Sequence, residues 1–471
     1  MKYNGNKAEN VKIAYIGGGS RGWARSLMSD LAVCDDMSGD VYLYDIDYGA
    51  AKDNEIIGNK FNTLADTRSC WNYRAVENET DAYTGADFVV ISILPGSFDE
   101  MASDVHTPEK YGIYQSVGDT TGPGGIVRAM RTAPMFEHIA RCVEKYCPEA
   151  WVINYTNPMT LCVKTLYRTF PKIKAFGCCH EVFQTQELLA EALDEMCGIK
   201  NVARRDVKIS PLSVNHFTWL TEARYRDVDI FPVYAEFAKK HRDSYFQKNT
   251  SIKINEAFAN ANMVKFDLFL RYGYIAAAGD RHLAEFMGGD TYLKDPETVS
   301  RWGFGLTPVE WRREDLLEKK AKTARLVNGE EELAICTSGE EGVNQMRALL
   351  GLDTLVTNAN FPNAGQIPNL PLGAVVETNA VFRDGTLTPV MAGVIPESIY
   401  PLVSRICAEQ EKLDAAIGAR DLDGIFEAFV SDPLVTCTRE DARALFREMV
   451  LNTKEYLKSY DISTIIGDII C

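Results

Sequence analysis

Five apolar runs of strand length, at residues 11–16, 41–47, 88–93, 151–156 and 173–178, are separated by helix-length segments. This alternation constrains the fold more than any other feature of the chain. Strands that read as near-continuous apolar runs are buried on both faces, and a helix-length connection between two of them is the crossover of a βαβ unit. Residues 1–200 are therefore expected to form an α/β, Rossmann-type doubly wound parallel sheet, with a helix over 159–167 ahead of the fifth strand. From about Val207 onward, strand-like and long helical segments mix, and an α+β substrate domain is expected over 201–471. Within it, Ser338 with Glu341 forms a capping-box signature that predicts a helix starting at Ser338. The stretch 358–373, rich in Asn, Pro and Gly, reads as a loop delivering a strand over 374–382. At 471 residues the chain is about three times a single-domain length, so two domains sharing a large core fit it.

Charge and cysteine content exclude whole classes of function. Fifty basic against 66 acidic residues leave a net charge of -16, which repels nucleic acid and anionic membranes over most of the surface. An anionic substrate must then find a local basic pocket. Twelve cysteines are far too few for a disulfide scaffold, and the opening MKYNGNKAEN lacks the apolar core of a signal peptide. These features predict a reducing, cytoplasmic location. No run of 18 apolar residues occurs, so no membrane span is expected.

The turn after the first strand, Gly17-Gly18-Gly19-Ser20-Arg21-Gly22, fits GxGxxG and opens onto a helical pattern starting at Trp23. Glycines there permit a tight turn and close backbone approach, so that helix N-terminal amides can hold a pyrophosphate. Asp45 ends the second strand 23 residues after Gly22, where a carboxylate accepts hydrogen bonds from a ribose diol. With Asp47 it would also repel a 2′-phosphate, which favours NAD over NADP. Leu94 and Pro95, after the third strand, and Asn157, after the fourth, lie where open α/β sheets bind ligands. Asn157 reads equally well as a turn-forming Asn-Pro.

Cys179, beyond the fifth strand, and His216, between two apolar runs, could supply a thiolate and an imidazole to a divalent cation. A buried structural Cys and a hydrogen-bonded His fit the same residue types. Two Gly-rich clusters carry an embedded carboxylate with arginines nearby: Asp119 with Arg128 and Arg131, and Asp280 with Arg281, His282 and Glu285. An active site and a pair of solvated, ion-paired turns both fit them.

Taken in order, IAYIGGGSRGW, SILPG, VGDTTGPGGIVRAMR, NYTNPM, GCCHEVF, VNHFTW, YGYIAAAGDRHLAEF and PNAGQIPNLP resemble the family 4 glycoside hydrolases, which use NAD and a divalent metal. The pair of carboxylates that most glycoside hydrolases employ is not the machinery of this NAD-dependent family. The Cys-His-Glu-Val segment at Cys179 with the Gly-Asp-Arg-His segment at Gly279 is most similar to the α-galacturonidase branch. The resemblance implies that Cys179 and His216 bind Mn²⁺, that Asn157 contacts sugar hydroxyls, and that His180 stands at the proton donor's position. It implies that Asp119 tunes a base offered by Asp280 or Tyr274, with Asp280 preferred. Arg281, Arg128 and Arg131 become candidates for a uronate clamp, with His282 beside the substrate and Leu94 and Pro95 beside the cofactor. The implied reaction oxidises C3 with NAD, removes the acidified C2 proton, eliminates the leaving group, adds water and returns the hydride. A homodimer or homotetramer acting on a small glycoside is implied as well. A lactate/malate-type hydroxyacid dehydrogenase shares the first-domain pattern but needs neither Cys179 nor the long second half. A catalytically silent NAD-binding sensor is the third reading.

Overall fold

A computed structural model of the chain describes residues 1–244, 246 and 258–463. A short strand, β1 (Lys2–Asn4), pairs antiparallel with β2 (Lys7–Ile16). Then come β3 (Met37–Tyr44), β4 (Trp71–Val76), β5 (Phe88–Ile91), β6 (Trp151–Asn154) and β7 (Lys174–Gly177). Strands β2 to β7 are mutually parallel and stand in the order β4-β3-β2-β5-β6-β7. The order reverses between β2 and β5, so the loops leaving these strands part and open a crevice at their carboxyl ends. All five strands expected from apolar runs are present, and the helix Met159–Thr169 covers the expected 159–167.

The sixth parallel strand, β4, escaped the sequence reading. It is the edge of the sheet, with Trp71 and Tyr73 buried while Arg74 points to solvent, so it never presents a continuous apolar run. Two later expectations are also corrected. The helix expected from Ser338 begins at Gly342, because Ser338 is bonded to Asp30 and the Glu341 carboxylate is held by Arg204 and Arg205. Residues 358–362, expected in a loop, belong to a strand, since their Asn and Pro side chains sit on a ladder rather than a turn.

The second half builds a small antiparallel sheet from β8 (Lys208–Leu212), β9 (Trp219–Tyr225), β10 (Val228–Asp229) and β11 (Ile275–Ala276). It then returns to the first sheet. Strands β12 (Leu355–Pro362), β13 (Val375–Arg383) and β14 (Thr386–Pro389) continue that sheet antiparallel beyond β7, joined through Asn360 opposite Gly177. A Cβ on Gly177 would lie 2.2 Å from Met159 Sδ, so only glycine admits this close approach. One apolar cluster accordingly mixes Ile153 and Phe176 with Ala359, Phe361, Ala380 and Phe382. The helices Tyr400–Ala419, Leu422–Ser431 and Arg439–Asn452 close a second core over the 25-residue helix Gly122–Tyr146. Among the described residues no helix is long and apolar enough to cross a membrane.

Candidate active site

The Gly-rich turn is shaped by its neighbours. Gly17 has φ 94°, and a Cβ there would fall 2.0 Å from the Ser92 carbonyl oxygen. Gly19 donates its N–H to Asp45 Oδ2 at 2.8 Å, and Asp47 donates its N–H to Asp45 Oδ1 at 2.9 Å. Asp45 is thus oriented by two backbone amides and keeps lone pairs for an outside donor. The helix Trp23–Val33 starts at Gly22 without a side-chain cap, and a Cβ on Gly22 would meet nothing within 4 Å. No side chain caps the first turn and the space beside Gly22 is open, the arrangement in which a helix N-terminus can take an anion. Ser20 is fixed through its carbonyl by Asn54 Nδ2 at 2.9 Å, and Arg21 keeps a buried Nε without a partner. Across the crevice Leu94 is 45 % exposed at the rim while Pro95 is buried.

The second group of side chains gathers where the loop before helix Gly122–Tyr146, the β8–β9 turn and the short helix Asp280–Glu285 meet. Asp119, His216 and His282 bring one ligand atom each within 4.8 Å of the others, and the two imidazole rings lie 3.8 Å apart. Thr120 Oγ1 donates to Asp119 Oδ1 (2.6 Å) and lies 2.8 Å from His216 Nδ1. A hydroxyl has one proton, so with Thr120 donating to Asp119 the His216 Nδ1–H must donate to Thr120. That tautomer leaves Nε2 of His216 with its lone pair directed away from Thr120, as a metal ligand requires. His216 itself has φ 64°, a left-handed conformation costly for a residue with a Cβ and characteristic of functional turns. Asn157, whose bond to Pro158 is cis, donates Nδ2 to Asp119 Oδ2 at 3.1 Å. Burial works against the charge on Asp119, but His282, with Arg128 beyond it, outweighs it and holds the carboxyl well below its usual range. Burial and His282 in turn hold His216 down at about 3, so it is a neutral donor at any physiological pH.

Cys179 is buried, and its thiol bonds to Asn215, the neighbour of His216. Burial, with Glu377 and Glu181 alongside, keeps that thiol protonated in the absence of a cation. His180 stands between the two groups of residues. Its Nδ1 is 3.1 Å from Glu340 Oε1, its Nε2 3.8 Å from Glu181 Oε1, and its ring 5.9 Å from that of Trp23. Burial would lower its pKa, yet Glu340 and Glu181 raise it above the ordinary histidine value. Glu181 accepts the Gly279 N–H at 2.7 Å, and although burial opposes its charge, His282 and His180 bring it down to about 2. Asp280 is fully buried. Its Oδ1 takes the Lys265 N–H at 3.1 Å, its Oδ2 has no partner, and burial pushes it up to about 6. Tyr274 packs into an apolar cluster, its ring 6.4 Å from Phe231.

Two family models match the chain: Family 4 glycosyl hydrolase over residues 12–195, and Family 4 glycosyl hydrolase C-terminal domain over residues 213–435. The chain belongs to glycosyl hydrolase family 4. It is 58% identical over 463 residues to the Alpha-galacturonidase of Thermoanaerobacterium saccharolyticum, covering 98% of this chain and 100% of that protein. The crystal structure described as glucosidase lplD from Bacillus subtilis superposes with a TM-score of 0.89 at 50% identity, covering 94% of this chain and 100% of that one. A 6-phospho-alpha-glucosidase from gut microorganisms, in complex with NAD and Mn²⁺, shares the fold at a TM-score of 0.77 and 17% identity, over 95% and 99% of the two chains. Membership over both halves accounts for the long second part, which the hydroxyacid-dehydrogenase reading leaves without a role.

Within this family 4 chain, the arginines expected to clamp a uronate are differently employed. Arg131 is buried and its three nitrogens bond to the Asp104 carboxylate and the Pro95 carbonyl, which makes it a structural pair and removes it from the clamp. Arg281 donates to the carbonyls of Gly305 and Ser116 and to the Thr307 hydroxyl, and it braces the loop before Asp119. Arg128 donates Nε to the Asn157 carbonyl at 3.1 Å and lies beside Asp119. The sequence reading missed Arg312. Its guanidinium stacks on Phe258 (5.1 Å) and Trp311 (5.9 Å), lies within the field of Asp119, and keeps a buried Nε without a partner. It sits on an exposed, highly charged helix, Val309–Asn328, where nothing distinguishes it from its neighbours by residue type. Glu340, the partner of His180, was hidden in the same way, inside what reads as a helix cap.

Proposed function

We propose that this chain hydrolyses α-galacturonides through an NAD- and Mn²⁺-dependent oxidation, elimination and re-reduction. The observation that carries the reading is the convergence at one crevice of an uncapped Gly-turn helix with Asp45 and the Asp119–His216–His282 group, in a chain 58% identical to an Alpha-galacturonidase. The residues fit both groups. Asn157 Oδ1, Asn215 Oδ1, His282 Nδ1, Asp280 Oδ2 and Glu285 Oε2 are all buried without a partner, a concentration of orphaned polar atoms that an uncomplexed core does not tolerate. NAD would lie on the turn from Gly17 through Gly19, Ser20, Arg21 and Gly22, its ribose on Asp45 and its nicotinamide end beside Leu94 and Pro95. Mn²⁺ would be held by Cys179 and His216, with His282 and Asp119 at hand. Bound there, NAD supplies a hydride acceptor and donor and Mn²⁺ a Lewis acid for sugar oxygens.

The protein's own groups divide the remaining work. Asp280, a buried carboxylate near pH 6 in pKa, takes the C2 proton once C3 is a ketone, because a base is most effective with a pKa near the operating pH. Tyr274, held in its apolar cluster, is set aside in favour of Asp280. His180, kept protonated by Glu340 and Glu181, donates to the leaving-group oxygen. Asp119 holds Asn157 and Thr120, and through them His216, in register, while Asn157 meets the sugar hydroxyls. Arg312, with Arg128 and Arg281 deeper, supplies the local positive charge that an acidic protein needs for a uronate carboxylate. The protein works as a homodimer or homotetramer in the cytoplasm, in keeping with eleven free cysteines among the described residues and none in a disulfide.

Turnover of p-nitrophenyl α-galacturonide in deuterated water tests the reading. Deuterium at C2 of the released sugar, with activity lost on removing NAD, is the expected result. Product without C2 deuterium, formed equally fast after NAD is stripped, would overturn it.

A further inference from the structure

Away from the Asp119 group, three metal-ligating side chains meet beside the first half's sheet, with Tyr44 at the end of β3 in the field of Glu79 and Cys142. His138 and Cys142 are one turn apart on the helix Gly122–Tyr146 and therefore share a face, and Glu79 reaches them from the short helix Glu79–Tyr83. His138 lies 16 residues beyond Gly122, about 24 Å along the axis from the end that carries Asp119. None of the three is used by the reaction. Both Glu79 carboxylate oxygens are 2.8 Å from His138 Nε2, and Cys142 Sγ is 3.6 Å from Glu79 Oε1 and 3.6 Å from His138 Nε2. Tetrahedral zinc bonds of about 2.3 Å to sulfur and about 2.0–2.2 Å to nitrogen and oxygen require sulfur-to-nitrogen and sulfur-to-oxygen edges of about 3.6 Å and a nitrogen-to-oxygen edge of about 3.4 Å. Two edges already match, and the third needs a rotation of His138, whose side chain is 57 % exposed and free to make it. Cys142 is buried against the core, so the sulfur is fixed and shielded, while the exposed His138 side leaves the fourth position to water.

We propose that Glu79, His138 and Cys142 form a second metal site, selective for zinc and separate from the catalytic centre. The donor set and the geometry point to the ion: one thiolate, one imidazole and one carboxylate at tetrahedral edges suit zinc, whereas magnesium and calcium prefer six or more oxygens. Binding releases the thiol proton to solvent and replaces the Glu79–His138 hydrogen bond by two metal bonds, with no change of oxidation state. The site clips the helix Glu79–Tyr83 to the long helix whose far end presents Asp119, and its consequence is stability rather than turnover.

The test uses the full chain, dialysed against micromolar Zn²⁺ and analysed for bound metal, beside His138→Ala and Cys142→Ser. Wild type should hold one zinc equivalent more than His138→Ala, and its melting temperature should rise with zinc while that of the variant does not. His138→Ala changes an exposed residue outside the catalytic machinery and should keep wild-type kcat, which also certifies its fold. Replacement by Co²⁺ distinguishes this site from the one proposed at Cys179. A thiolate-to-cobalt absorption band should survive Cys179→Ser in part and lose a matching component in Cys142→Ser. Equal zinc content in wild type and His138→Ala, or a cobalt–thiolate band unaffected by Cys142→Ser, would overturn the proposal without touching the reading of the catalytic site.

Discussion

Asp280 and His180 carry opposite roles in proton transfer, and together they set a pH window. Burial raises Asp280 to about 6, and a base must be ionised, so activity should fall as pH drops through about 6. His180 is raised above the ordinary histidine value of 6.5, and an acid must be protonated, so activity should fall again as pH climbs past that raised value. A bell-shaped profile of kcat/KM is expected, and Asp280→Asn should remove its acidic limb while lowering kcat about 10²- to 10⁴-fold. A profile whose acidic limb persists in that variant would assign the limb to another group. Arg312 makes a second prediction at this scale. Arg312→Ala should raise KM for an α-galacturonide about 10- to 100-fold, because a hydrogen bond to a charged group contributes about 1.5–3 kcal/mol. The neutral α-galactoside should be little affected, and Arg312→Lys should recover only part of the loss, since an ammonium cannot pair bidentately. Equal losses on both substrates, measured in parallel, would remove Arg312 from carboxylate recognition.

At the scale of elements, the helix Gly122–Tyr146 is the beam on which the site is hung. Its first turn is capped from the C-terminal part, where Asp432 Oδ2 accepts the Thr121 hydroxyl at 3.0 Å and the Gly122 N–H at 2.8 Å. Two to three turns further on, Arg131 binds Asp104 of the helix Phe98–His106 and the carbonyl of Pro95, tying the beam to the cofactor-side loop. Both partners are almost wholly buried, and burial raises the pKa of Asp104 despite the arginine beside it. Removing one member of such a pair leaves a buried charge alone, so Arg131→Met should cost about 3–5 kcal/mol, read as a lowered denaturant midpoint. Replacing both residues by apolar ones of similar size should recover much of that stability. If Arg131→Met were neutral in stability and raised KM instead, Arg131 would belong to the substrate site after all.

For the whole molecule, the antiparallel strands β12 to β14 make the second half part of the first half's sheet. The Glu377 N–H on β13 bonds to the Ser213 carbonyl at 2.8 Å, and Asn379 Nδ2 to the Ile209 carbonyl at 2.8 Å, so the small sheet is tied on through the same strand. A fragment of residues 1–200 would leave the β7 edge unpaired and one face of Phe176 and Ile153 bare. It should fail to give a cooperative thermal transition, as measured by circular dichroism, although its apolar pattern is that of a complete nucleotide-binding fold. A soluble fragment with a sharp transition would show that the added strands are dispensable.

What the sequence determined by itself follows from local chemistry. Apolar runs buried on both faces announce parallel strands wherever they lie in a sheet's interior, and a glycine turn with Asp45 behind it announces a nucleotide crevice, because those requirements act over a few residues. The ordered motifs from GGGSRGW to GDRHLAEF likewise made the family legible. Edge strand β4, with its alternating face, and the register that seats Asn360 opposite Gly177 depend on which strand lies beside which, and local pattern carries no such information. The site divides along the same line. His216, Asp119, Cys179 and Asp280 are conspicuous as polar residues in Gly-rich or strand-end settings. That His282 packs against His216, that Arg131 is consumed by Asp104, that Glu340 reaches His180 and that Arg312 comes within the field of Asp119 were decided only when segments distant in sequence packed together. A charged side chain's role is set by whether burial supplies it a partner, and that is a property of the tertiary structure.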